Sequence, residues 1–182
     1  MIRLEGIALG AAPPDDVNVV VTAGTGAVPY AMRFDEVSGA LVVTQLFHSA
    51  MRYPVNVGLI PHTLAETGDP LQAAVVTEHV FAPGMVVAVR PLGVLYVSGD
   101  EGEDIVVLTV PSARLSRRYE PVATYTDLGQ GQLRQIAHFF CHYRDMEERS
   151  RPRNSGWGDV SEAQRVIREA AQRARRPVNI GS

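Results

Sequence analysis

The stretch from Tyr53 to Gln72, YPVNVGLIPHTLAETGDPLQ, constrains this chain more than any other. Pro54, Pro61 and Pro70 fix their own φ angles, while Gly58 and Gly68 open angles that other residues avoid. Asn56 stands in a turn context, and the acids Glu66 and Asp69 sit between the punctuating residues. The composition is that of a loop built to hold one shape. An apolar run then opens at Leu71.

The segments before and after the loop read mostly as strands. Residues 1–16 carry Pro13, Pro14, Asp15 and Asp16 and form a lead-in, and Val17–Thr22 is β-branched. The AGTGAVP segment at 23–29 turns; no helical pattern follows its glycines, which argues against a dinucleotide-type phosphate cradle. Tyr30–Phe34 and Leu41–Leu46 flank Asp35-Glu36-Val37-Ser38-Gly39, a hairpin signature. Later come a buried strand at Leu71–Val76, a turn at Pro83-Gly84, and strands at Met85–Val89 and Leu92–Val97. A charged loop, SGDEGED at 98–104, precedes a strand at Ile105–Val110. Seven or so short strands at this spacing predict a closed or partly closed β-barrel.

The final third changes period. Leu133, Ile136, Ala137 and Phe140 share one helical face, as do Ala163, Val166, Ile167, Ala170 and Ala174. Ser161-Glu162-Ala163-Gln164 reads as a capping box that starts the last helix. The arginines near 173–176 suit a helix C-terminus, and 177–182 form a tail. The expectation is an α+β fold, one domain over 1–182, with C-terminal helices packed on a barrel.

Composition narrows the function. The chain has 182 residues and a formal net charge of −3, so no global basic field attracts nucleic acid. No apolar run approaches a membrane span, and one cysteine, Cys141, allows no internal disulfide, so the expected address is the cytoplasm. All seventeen basic residues are arginine. His138, Cys141 and His142 have a spacing that could present soft metal ligands, but packing of that helix is the plainer reading.

The frame Y-P-x-N-x-G-x-I-P-H-T-L followed by G-D-P-L joins DEVSGAL, PG-x-V-x-x-V-R-P-x-G-V-L, EGED and IAHFF-x-HYRDME. From about Val17 to Arg175 the chain thereby resembles the soluble (family I) inorganic pyrophosphatases. The resemblance implies a pyrophosphatase-type, OB-like closed β-barrel with helices packed on it. It also implies a homo-oligomer. The family chemistry uses Mg²⁺, a hard cation that binds through oxygens.

Set against the family pattern, this chain keeps Asp69, Asp104, Tyr53 and Tyr143, and Arg144 replaces a lysine. Thr67 and Gln72 stand where the family places metal-binding aspartates. Gly99 stands for another aspartate, with Asp100 beside it. Val57 replaces a tyrosine and Val106 a lysine, Ala31-Met32-Arg33 replaces Lys-Tyr-Glu, Thr44-Gln45 replaces Asp-Arg, and Thr22 replaces a glutamate. The substitutions lead to an expectation that no metal cofactor is retained and that Mg²⁺-dependent pyrophosphate hydrolysis is lost. The barrel pocket would instead take an organic small molecule. Asp69, Asp104, Tyr53 and Tyr143 would supply acid/base groups, and Arg33 and Arg144 anion contacts. Thr67, Gln72, Val57, Ala31 and Val106 would line the pocket. One alternative is a non-catalytic pseudoenzyme acting through its surface. The other is a weak Mg²⁺-dependent pyrophosphatase using Asp69, Asp100 and Asp104.

Overall fold

The computed structural model describes residues 4–35, 38–99, 102–147 and 154–175. Eight strands are described: β1 (Val17–Ala23), β2 (Tyr30–Asp35), β3 (Ala40–Leu46), β4 (Asn56–Leu59), β5 (Gln72–Val75), β6 (Val86–Gly99), β7 (Gly102–Pro111) and β8 (Asn154–Gly158). Two helices, α1 (Gln130–His142) and α2 (Val160–Arg175), flank β8. Six strands form a mixed sheet in the order β1-β4-β5-β7-β6-β8, and β1 also pairs with β6. The β5–β7 pair is parallel and the other pairs are antiparallel. β2 and β3 form a separate two-stranded ribbon.

Several expectations change here. The organising stretch is not all loop, because Asn56–Leu59 is a strand between β1 and β5. Gly58 makes this possible: a Cβ there would lie 2.3 Å from the Val20 carbonyl oxygen, so only a bare Cα lets the strands approach. The two segments around Pro91 are one 14-residue strand. Proline weakens a strand signal through its missing N–H, but here it falls at a register shift between Pro91 and Gly93. The charged stretch 98–104 is mostly strand, with Ser98 opposite Glu103 and Gly99 opposite Gly102. β8 escaped the sequence reading because NSGWG has little β-propensity; it pairs along the second half of β6.

Strand alternation divides the apolar residues between two clusters. Ala74, Val76, Leu95, Val97, Val106, Leu108 and Val110 pack with Leu133, Ile136, Phe139 and Phe140 of α1. Val17, Val19, Val21, Ala73, Val75, Val94 and Val107 pack with Ala163, Val166, Ile167 and Ala170 of α2. The last helix starts earlier than its sequence box implies. Asp159 accepts from the Glu162 N–H at 3.0 Å, so Asp159 is the cap and Ser161 lies inside the helix. Ala174 is exposed and Ala171 buried in its place. Among the described residues no helix is long and apolar enough to cross a membrane.

Candidate active site

The turn between β4 and β5 is held from inside. Thr63 donates its hydroxyl to the Ile60 carbonyl at 2.6 Å and accepts from the Leu71 N–H at 3.0 Å, in a buried setting. Ala65 N–H donates to the Asp69 carbonyl at 2.7 Å, and Gly68 turns with a φ of 91°. The turn is also fastened to α2: Leu64 N–H donates to the Ala170 carbonyl and Arg173 Nε donates to the Leu64 carbonyl at 2.8 Å. Its tip, bearing Thr67 and Asp69, is therefore exposed but anchored at its base.

Two further candidates follow from register. Gln72 begins β5 opposite Val106 of β7. Gln72 is two residues from Ala74 and Asp104 two from Val106, so both polar residues share the face that carries the α1 cluster. Gln72 and Asp104 are half-buried at the rim of that face. Val57 and Val106 are buried within the cluster, and Ala31 of β2 packs against it. These apolar residues belong to a packed cluster, and Asp69 is exposed at the tip of the turn. Asp100 and the side chain of Arg33 lie outside the described residues.

Tyr53 and Tyr143 are brought together by α1. Their rings lie 4.7 Å and 5.0 Å from the ring of Phe139, the latter pair stacked. Burial pushes the Tyr53 hydroxyl well above the ordinary phenol range, and neighbouring Tyr143 and Tyr30 push the same way, against a smaller opposing effect of Arg144. Tyr53 is thus a fixed hydrogen-bond donor at neutral pH. Arg144, exposed just past the helix, lies with its guanidinium carbon 5.3 Å from the Phe47 ring centroid and 5.1 Å from that of Tyr143. Such stacking orients the guanidinium while leaving its edge to an anion. Phe47 went unnoticed in the sequence, and Tyr30 was read only as the start of a strand; their signal was an aromatic residue at each outer end of the hairpin.

The His138, Cys141 and His142 set is no metal site. Cys141 is buried, and His142 Nδ1 meets Asp145 Oδ2 at 2.7 Å. Among the described residues no three of His, Cys, Asp and Glu gather to hold a metal ion. The oxygen donors near the β4–β5 turn and β7 have a different character. Asp69, Asp104, Thr67 and Gln72 carry carboxylate, hydroxyl and amide oxygens, the donor chemistry that a hard divalent cation takes.

The model of the inorganic pyrophosphatase family matches residues 24–175. The chain belongs to that family. It is similar to an inorganic pyrophosphatase of Brucella melitensis, 41% identical over 96% of this chain and 99% of the relative. An inorganic pyrophosphatase of Agrobacterium fabrum is also 41% identical, over 94% and 97%. Among solved structures, the inorganic phosphatase of Anaplasma phagocytophilum superposes with a TM-score of 0.87 at 37% identity, covering 93% of this chain and 99% of that one.

These relatives overturn the expectation drawn from the substituted positions. Full-length likeness at this identity to pyrophosphatases supports ordinary pyrophosphate hydrolysis, not a lost activity, a pseudoenzyme or a site repurposed for organic molecules. The expectation of no cofactor falls with it, because the family chemistry is Mg²⁺-dependent. Reading each substituted position as a lost function weighed residues singly, whereas a site tolerates substitution when neighbouring oxygens, water and substrate share the ligation.

Proposed function

We propose that this protein hydrolyses inorganic pyrophosphate with Mg²⁺, using fewer protein carboxylates than the family pattern supplies. The observation that carries the reading is the full-length likeness to pyrophosphatases, supported by Asp104 and Gln72 lying on the strand face whose buried cluster contains Tyr53 and Tyr143. Asp69, Asp104, Thr67 and Gln72 would hold the cation. When bound there, Mg²⁺ neutralises phosphate charge and acidifies a coordinated water.

The chain's own groups divide the remaining work. Arg144 presents parallel N–H donors to a phosphate, held by the Phe47 and Tyr143 rings. Tyr53 and Tyr143 donate hydrogen bonds toward the substrate's bridging or leaving oxygens. Asp69, exposed at the tip of an anchored turn, accepts the proton of the attacking water. We read the β1 pairings with both β4 and β6 as closing a ring of strands, the barrel that the resemblance implies. The same resemblance implies a homo-oligomer, which sedimentation at several concentrations tests; the cytoplasmic address rests on composition alone.

The deciding experiment is phosphate release from pyrophosphate at millimolar Mg²⁺, beside an Asp69→Asn control. Release that the control abolishes is expected. Absence of release across Mg²⁺ concentrations up to tens of millimolar would overturn the reading.

A further inference from the structure

The β2–β3 ribbon pairs with no other strand among the described residues, and β3 is mostly exposed. Its far end nevertheless delivers Phe47 onto Tyr143, edge to face at 5.4 Å. Something has to hold that end in place. Glu147, just past α1, accepts from Gln45 Nε2 at 3.1 Å through Oε2 and from the His48 backbone N–H at 3.1 Å through Oε1. The two bonds join segments far apart in the sequence and bracket Phe47 on both sides. The His48 imidazole lies 3.9 Å from the same carboxylate but is 88% exposed, so it adds little. The Glu147 side chain itself is 23% exposed, while both bonds lie at the surface.

We propose that Glu147 is a positioning residue: its carboxylate clasps the ribbon to the end of α1 and so sets the Phe47–Arg144–Tyr143 stack that aims the guanidinium. Residues 144 and 147 are close together on the chain segment after α1, and the Glu147 N–H donates to the Arg144 carbonyl, so the clasp fixes both sides of the stack at once. Backbone N–H and amide donors to a carboxylate are charge-assisted, stronger than neutral pairs. The inference rests on reading Arg144 as the substrate's anion contact, but its first readout does not.

That readout is amide hydrogen exchange in the full-length protein. Glu147→Ala removes both acceptors, and the amides of residues 40–48 should then exchange about tenfold faster, with α1 unchanged. The double variant Gln45→Glu with Glu147→Gln exchanges the partners. The amide introduced at position 147 would donate to the carboxylate introduced at position 45, and its carbonyl oxygen would still accept from the His48 N–H. Exchange should therefore return to the wild-type rate. In the activity assay, Glu147→Ala should raise KM for pyrophosphate about tenfold while kcat changes less, and the swap should restore KM. Unchanged exchange in Glu147→Ala, or a swap that restores neither readout, overturns the proposal. A KM unchanged despite faster exchange overturns its link to Arg144. If wild-type protein releases no phosphate, the reading of the activity fails, and exchange alone decides the clasp.

Discussion

In the proposed site, Thr67 and Gln72 would offer a cation neutral oxygens alongside the carboxylates of Asp69 and Asp104. Neutral oxygens ligate a hard ion but leave its charge unbalanced, so the free protein should demand more Mg²⁺ than a site with additional carboxylates. Restoring carboxylates tests this directly. Thr67→Asp and Gln72→Asp together should lower the half-saturating Mg²⁺ concentration by about tenfold, read from activity and from calorimetric Mg²⁺ binding. An unchanged Mg²⁺ requirement would show that neither position faces the ion. Asp104→Asn removes charge from the same strand face without changing shape, and should lower kcat/KM by on the order of 10²- to 10⁴-fold. These residues stand out in the sequence because the motif frame around them is intact. What the frame did not convey was how the substitutions act together, and weighing each position alone led to the wrong function.

The turn that carries Asp69 depends on an element-level device, the Thr63 hydroxyl bridging Ile60 and Leu71. Thr63→Val keeps the shape but strands a buried N–H and carbonyl, so unfolding free energy should fall by about 2 kcal/mol in urea denaturation. Because the same bridge closes the base of the turn, KM or the Mg²⁺ requirement should worsen alongside it. A loss of stability with unchanged kinetics would assign Thr63 to the fold alone. Strands and helices with strong patterns were readable: β1, the β2–β3 ribbon, β7, α1 and α2 stand where apolar alternation or helical spacing placed them. The failures have local physical causes. β4 was hidden among turn-formers whose glycine serves close strand approach, β6 was split by a proline sitting at a bulge, and β8 sets a lone Trp157 among glycines and small polar residues that only its partner strand makes a strand.

At the scale of the whole molecule, the absence of lysine gives the alkaline limb of stability an unusually clear origin. Arginine stays charged throughout the accessible range, and no lysine titrates near pH 10. Tyrosines therefore dominate that window. Tyr53 is held above the ordinary phenol value by burial first and by Tyr143 and Tyr30 next, and Tyr96 is raised by burial and then by Glu162. Each is an acid whose neutral form the fold favours. The unfolded chain releases these protons near pH 10 while the folded protein retains them, so the folded state binds more protons above that pH. Stability should hold constant through the neutral range and decline from about pH 10 upward. Guanidinium unfolding midpoints measured from about pH 8 to 11.5 check the shape of that curve. Tyr53→Phe removes the most strongly shifted phenol and should flatten the decline, even though it also removes the hydroxyl's hydrogen bonding at neutral pH. If the variant's midpoint falls with pH as steeply as the wild type's, Tyr53 is not the group that governs alkaline stability.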